Sequence, residues 1–299
     1  MEQKAVTLSL EALAKLRNVD GRLVSYNIEM AEVTGGTFWK TYTPGQIAGT
    51  EEFSYTGGAG SFESTEESEE LMEVCPPINL YNEKLRYLAK ELGPVWVRVA
   101  GGWANRTYYD FDGHTGGVVP EGYLNILTKE QWTGVLDFVK AVHGKLLISC
   151  ANCDGLHKAE EPWNPSQAEI IFSFSKEYGV PIDAVEFTNE PNAMDAAGMP
   201  KGYTPAFYRR DHDLFFSWLK AHYPDVLRVG PCTLGGDVKL VAMVNLPPNG
   251  GTVYEVPCCK TEELLNGTKE PLDVFSCHYY NGVSERIEKQ MPGGHWHAD

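Results

Sequence analysis

The 299-residue chain lacks any apolar run approaching the ~18 residues that a membrane-spanning helix needs. Its first residues, Met1-Glu2-Gln3-Lys4, lack the apolar core of a signal peptide, so neither membrane insertion nor a leader is expected from this stretch. Basic residues are scarce: 25 Lys and Arg stand against 41 Asp and Glu, a net charge of −16. A nucleic-acid groove needs clustered Lys and Arg to replace counterions, so nucleic acid is excluded as a partner. An anionic sugar is not excluded, because a few local basic or hydroxyl groups suffice to hold one carboxylate. The glycine-rich signatures G-x-G-x-x-G and G-x-x-x-x-G-K-[ST] are both missing, which argues against dinucleotide and nucleotide-phosphate binding. No cofactor is expected.

Cysteine is also sparse in pattern. Of seven cysteines, only Cys150-Ala151-Asn152-Cys153 has C-x-x-C spacing, and no second such pair exists to complete a zinc site. Cys150 closes an apolar run, so these read as buried thiols. His295-Trp296-His297 has no third ligand at metal-binding spacing and reads as a frayed terminus. No metal is expected. The sequons at Asn105 and Asn266 are too common by chance to decide anything.

What is present is an alternation. Val6-Thr7-Leu8-Ser9-Leu10 reads as a half-exposed strand, and Leu23 to Ile28 as a second one ending at Glu29. A Gly-, Ser-, Thr- and Glu-rich stretch, 31–77, predicts a long surface loop. Helical spacing of Leu85, Leu88 and Leu92 then stops at Gly93-Pro94, and Val95 to Ala100 reads as a buried strand closed by Gly101-Gly102. Thr128 and Gln131 form a capping box for a helix striped with Trp132, Val135, Leu136 and Val139. Strand Lys145 to Cys150 follows, then a helix opened by Asn164-Pro165 and strand Asp183 to Thr188. A helix from Thr204-Pro205, strand Val226 to Gly230, a short helix near Glu262 to Leu265 and strand Leu272 to Cys277 complete the pattern.

Alternating β and α elements imply a parallel sheet, open or closed as a (β/α)8 barrel. Polar residues follow nearly every strand: Glu29, Arg98 near Gly101-Gly102, Asn152, Asn189-Glu190 and His278-Tyr279-Tyr280. Such residues converge at the top of a barrel, whereas an open sheet gathers them at one switch point. The expected fold is therefore α/β, a (β/α)8 TIM-type barrel with about six of its eight units in this chain.

Glycosidic cleavage needs one carboxylic acid to protonate the departing oxygen and a second carboxylate across the sugar, about 5–5.5 Å away in a retaining enzyme. Glu190 directly follows an apolar strand, where desolvation favours the protonated form. Asn189 stands beside it, suited to a sugar hydroxyl. By residue type alone Asn-Glu-Pro-Asn could equally be a strand-to-loop turn. Position on the fourth barrel strand favours chemistry.

Phe187-Thr188-Asn189-Glu190-Pro191-Asn192 resembles the acid/base signature of the retaining (β/α)8 glycosidases, in its heparanase and β-glucuronidase branch, glycoside hydrolase family 79. Val97-Arg98-Val99-Ala100-Gly101-Gly102 is similar to that family's second strand, Ser276-Cys277-His278-Tyr279-Tyr280 to its sixth, and Tyr26-Asn27-Ile28-Glu29 to its first. Trp103 departs from the family's usual Thr. The resemblance implies a retaining hydrolase of β-linked uronic-acid glycans or glycosides, with Glu190 as acid/base. It implies Glu29, Gly101, Gly102, Asn152, His278 and Tyr280 as substrate contacts and Arg98 as a structural partner of a nearby carboxylate, Glu190 being one option. The family's nucleophile is a strand-seven Glu, expected beyond Asp299, and Glu285 and Glu288 read as loop or helix after strand six. The family also implies that residues 1–20 join a β-sandwich, that 21–299 form the front of the barrel, and that the protein is secreted, periplasmic or lysosome-like. A non-catalytic carbohydrate-binding relative, or an arabinofuranosidase or xylosidase of the same superfamily, remains open on the sequence.

Overall fold

A computed structural model of the chain describes residues 21–51, 72–235, 240–244 and 253–279. The segment 1–20 with the strand at Val6 to Leu10, and Tyr280, Glu285, Glu288 and His295 to His297, lie outside the described residues.

In chain order the elements are strand β1 (Val24–Glu29), helix α1 (Met30–Thr34), β2 (Gly36–Trp39), α2 (Pro44–Ile47), β3 (Met72–Cys75), α3 (Glu83–Glu91) and β4 (Val95–Ala100). There follow β5 (Thr107–Asp110), β6 (Asn125–Thr128), α4 (Lys129–Ala141), β7 (Lys145–Ser149), α5 (Ser166–Glu177), β8 (Ala184–Glu186) and α6 (Pro205–His222). The last are β9 (Leu227–Leu234), β10 (Leu240–Val244), β11 (Val253–Pro257), α7 (Thr261–Leu265) and β12 (Val274–His278).

Six strands form one parallel sheet in the order β1-β4-β7-β8-β9-β12, so spatial order follows chain order. That order is what successive β/α units produce when each crossover advances in the same direction. The sheet is curled into a half-barrel, compatible with part of an α/β barrel.

Local sequence explains the helices between the strands. Thr128 caps α4 through its side chain to the Gln131 amide, and Gln131 returns a bond to the Thr128 amide. Thr204 caps α6 with Pro205 in its first turn, and Asn82 caps α3. The α4 stripe Trp132, Val135, Leu136 and Val139 is buried with Val95, Val97 and Val99 of β4, each residue at full burial contributing about 1.5–3 kcal/mol. Trp132 also places its indole N–H on Ser175 Oγ at 2.8 Å, which removes the cost of burying that donor.

Two expectations need correction. The stretch 31–77 is not all surface loop: Met30, Ala31 and Val33 are buried in α1, which packs against β6 and α4, and β2 pairs antiparallel with β3. Its Gly- and Thr-rich composition concealed the short apolar face. On α3 the core face is Leu85 with Ala89, while Leu88 and Leu92 are exposed. Spacing alone did not show that the face one turn around, anchored by the Tyr26 hydroxyl on the Ala89 carbonyl, is the one that packs.

Candidate active site

The strand ends at the carboxyl edge of the sheet bring together residues from all six of its strands. Asn27 and Arg98 are register partners on β1 and β4, so their side chains point to the same face, as do Ser149 and Glu186 on β7 and β8. Across this face Arg98 Nη2 reaches Glu186 Oε2 at 2.8 Å, with Nε at 3.2 Å from the same oxygen. Ser149 Oγ donates to Glu186 Oε2 at 2.8 Å, and Arg98 Nη1 donates to Asn27 Oδ1 at 2.6 Å. This corrects one expected option for Arg98: its carboxylate partner is Glu186. The reason is alternation along the strand, which sends Glu186 into the sheet's concave face while Glu190 lies past the strand end.

Beyond that ion pair the chain turns sharply. Glu190 adopts a left-handed backbone, φ 49° and ψ 47°, at the start of a 3₁₀ turn over Pro191–Ala197. Its N–H donates to the Cys232 carbonyl at 3.1 Å, and Cys232 is itself left-handed with φ 59°. Non-glycine residues in this region store strain that surrounding bonds must hold, a feature concentrated at functional sites. Asn105 supplies much of that support. Its Oδ1 accepts from Thr188 Oγ1 and the Asn189 N–H, both at 2.8 Å, and its Nδ2 donates to the Asn189 carbonyl at 2.9 Å and the Ala197 carbonyl at 2.8 Å. All four hydrogen-bonding positions of the amide are used, and the residue is fully buried, so its sequon presents no accessible amide.

Asn189 Oδ1 accepts from Arg98 Nη2 at 2.9 Å. A guanidinium only donates, so the oxygen must face it and the Asn189 NH2 faces the other way. Glu190 Oε1 lies 2.6 Å from His278 Nδ1, and the two side chains keep 17% and 20% of their surface, which leaves this pair open at the mouth of the site.

Glu29 ends β1 beside the same centre. Burial raises its carboxyl pKa from the ordinary 4.5 to about 7; Arg98 and the Asn27 amide oppose that rise, while Glu190 and Glu32 add to it. Its Oε2 is buried without a hydrogen-bond partner among the described residues. Gly101, at φ +95°, exists to make room for it: a Cβ there would stand 1.5 Å from Glu29 Oε2. Gly102 has open space where a Cβ would go. Asn152 is fully buried and faces inward, its Oδ1 at 2.7 Å from His157 Nε2 and its Nδ2 at 3.3 Å from Met199 Sδ, while its backbone N–H donates to the Asn105 carbonyl. It braces the Asn105 shelf. Tyr279 is 82% exposed.

The structure thus brings Glu29, Arg98, Gly101, Asn189, Glu190 and His278 into one centre and adds three residues that the sequence did not single out: Asn105, Glu186 and Cys232. Glu186 carried a usable signal, a carboxylate four residues before Glu190 inside an apolar strand. Cys232 and Asn105 carried none in residue type. Burial drives the Cys150 thiol pKa upward and that of Cys153 to about 11, so both are protonated, buried thiols. Asp110, Asp112 and His114 bring three possible ligand atoms within 4.8 Å, but Asp112 and His114 are exposed and bonded to each other at 2.5 Å, which accounts for the grouping.

No family model matches the sequence, and no curated protein matches it. Among solved structures the chain is similar to one described as the AHE enzyme from Alicyclobacillus herbarius, at 16% identity and a TM-score of 0.32, over 54% of this chain and 38% of that one.

Proposed function

We propose that this centre is the acid/base half of a retaining glycoside hydrolase acting on β-linked uronic-acid glycosides, with Glu190 as the proton-donating carboxyl. The observation that supports it most is the set Asn189-Glu190 at the end of β8, with the Asn189 NH2 turned away from Arg98 and the Glu190 carboxyl open to solvent beside His278. A donor amide next to an accessible carboxyl is what protonation of a leaving oxygen beside a bound 2-hydroxyl requires. Proton transfer runs from Glu190 to the glycosidic oxygen. The Nδ1 side of His278 then faces the carboxylate left behind, where a ring N–H stabilises the developing charge. Glu29, kept largely protonated below about pH 7, can sit beside the same centre without repelling Glu190 or a substrate carboxylate. In this reading the second carboxylate is a strand-seven Glu, as the resemblance implies.

The reading is tested with a panel of chromogenic aryl glycosides on the full-length protein. Turnover should be confined to β-glucuronides, fall by about 10²–10⁴-fold in Glu190→Gln, and return in part with azide. Faster cleavage of an arabinofuranoside or xyloside would move the substrate class, and unchanged turnover in Glu190→Gln would remove Glu190 from the mechanism.

A further inference from the structure

We propose that Cys232 is a positioning residue that fixes the tautomer of His278 by donating its thiol hydrogen to Nε2, so that Nδ1 carries the ring hydrogen and donates it to Glu190. The role of Glu190 in this chain rests on the glycosidase reading above; the hydrogen-bond relay itself does not.

The geometry is a short line of three side chains from three strand ends. Cys232 Sγ lies 3.1 Å from His278 Nε2, and His278 Nδ1 lies 2.6 Å from Glu190 Oε1. The Cys232 carbonyl also accepts from the Glu190 N–H, so the two ends of the line are tied through the backbone. Both residues are held left-handed, a conformation that neither side chain favours.

Hydrogen counting assigns the direction of the bonds. Arg98 Nη2 also approaches His278 Nε2, at 3.3 Å, and Cys232 Sγ, at 3.2 Å. That nitrogen carries two hydrogens, and its two shortest contacts are Glu186 Oε2 at 2.8 Å and Asn189 Oδ1 at 2.9 Å. Both hydrogens are therefore committed. The thiol has two acceptors within reach, Asn189 Oδ1 at 3.9 Å and His278 Nε2 at 3.1 Å, and the nearer one, Nε2, takes its hydrogen. Burial, then the nearby Glu186, raise the Cys232 pKa well above that of a free thiol despite Arg98, so the sulfur keeps its hydrogen. With Nε2 accepting, a neutral imidazole has its hydrogen on Nδ1, aimed at the Glu190 carboxylate.

The relay does two things to Glu190. It stabilises the ionised carboxylate, and it does so with a donor whose orientation is set before any proton moves. Among the described residues, the charged groups facing this line include Arg98 and Glu186 from β4 and β8 and, at the other end, Glu29 from β1.

The test is ¹⁵N NMR of the full chain labelled at histidine, which reads the ring tautomer directly. The wild-type protein should show His278 as the Nδ1–H tautomer. In Cys232→Ser the hydroxyl keeps the donor and the tautomer should persist. In Cys232→Ala, His278 should shift toward Nε2–H. An Nε2–H tautomer in the wild-type protein overturns the proposal, as does an unchanged tautomer in a folded Cys232→Ala. None of these readings uses a substrate, so a protein that shows the relay yet cleaves no glycoside would refute the glycosidase reading alone.

Discussion

Replacing Glu29 by Gln should stabilise the protein at alkaline pH and much less at acid pH. In the folded protein burial lifts the Glu29 carboxyl from 4.5 to about 7, with its Oε2 unpartnered among the described residues. Below pH 4.5 the carboxyl is protonated in both the folded and the unfolded chain, so titration contributes nothing. Between 4.5 and about 7 the folded chain binds the proton that the unfolded chain has released, and stability falls as pH rises, by about 1.4 kcal/mol per pH unit. Above about 7 the penalty is complete, at about 3 kcal/mol. A neutral glutamine does not titrate, so the stability gained from Glu29→Gln at pH 8 should exceed the gain at pH 4 by about that amount. In a protein of this size that corresponds to a difference of about 6 °C in midpoint. Urea unfolding of both proteins across this pH range reads the quantity directly. A Glu29→Gln effect that is the same at pH 4 and pH 8 would refute the claim that burial holds this carboxyl protonated.

Further outcomes follow from the same contacts. Arg98→Met leaves Glu186 buried without its cation and should cost about 3–5 kcal/mol in chemical denaturation, with Arg98→Met/Glu186→Gln recovering much of it. Asn105→Ala removes four bonds from a fully buried shelf and should cost at least about 3 kcal/mol, loosening the Asn189-Glu190 turn as seen in amide hydrogen exchange. Gly101→Ala collides with the Glu29 carboxyl in a left-handed backbone position. The collision should be relieved in part by Glu29→Ala, giving a positive coupling in a double-mutant cycle of unfolding free energies.

The sequence spoke most clearly where local chemistry and packing agree. The Thr128–Gln131 box and the α4 stripe were legible because cap, period and burial all point to the same helix. The parallel order of β1, β4, β7, β8, β9 and β12 followed from alternation, because each crossover leaves few other choices. At 31–77 a Gly- and Thr-rich composition hid α1, whose three buried residues are too few to register as a period. Within the site, Asn189-Glu190 was visible as two polar residues capping an apolar strand. The partner of Arg98 was not, since Glu186 and Glu190 are both carboxylates near it and only the pleat separates them. Asn105 was invisible for a different cause: it is far from Asn189 in sequence, and an amide is a common loop residue until its four bonds are seen together. Cys232 likewise takes its meaning from His278 and from the left-handed backbone, neither of which a lone cysteine announces.

The central claim is that Glu190 and His278 line a sugar site, and titration of the ¹³C,¹⁵N-labelled chain with a non-hydrolysable S-linked aryl β-glucuronide tests it most directly. Saturable binding that moves the Glu190 carboxyl and His278 ring signals, and that is weaker for the matching xyloside, is the predicted result. Absence of saturable binding by any glycoside, or binding that leaves both signals in place, would contradict it.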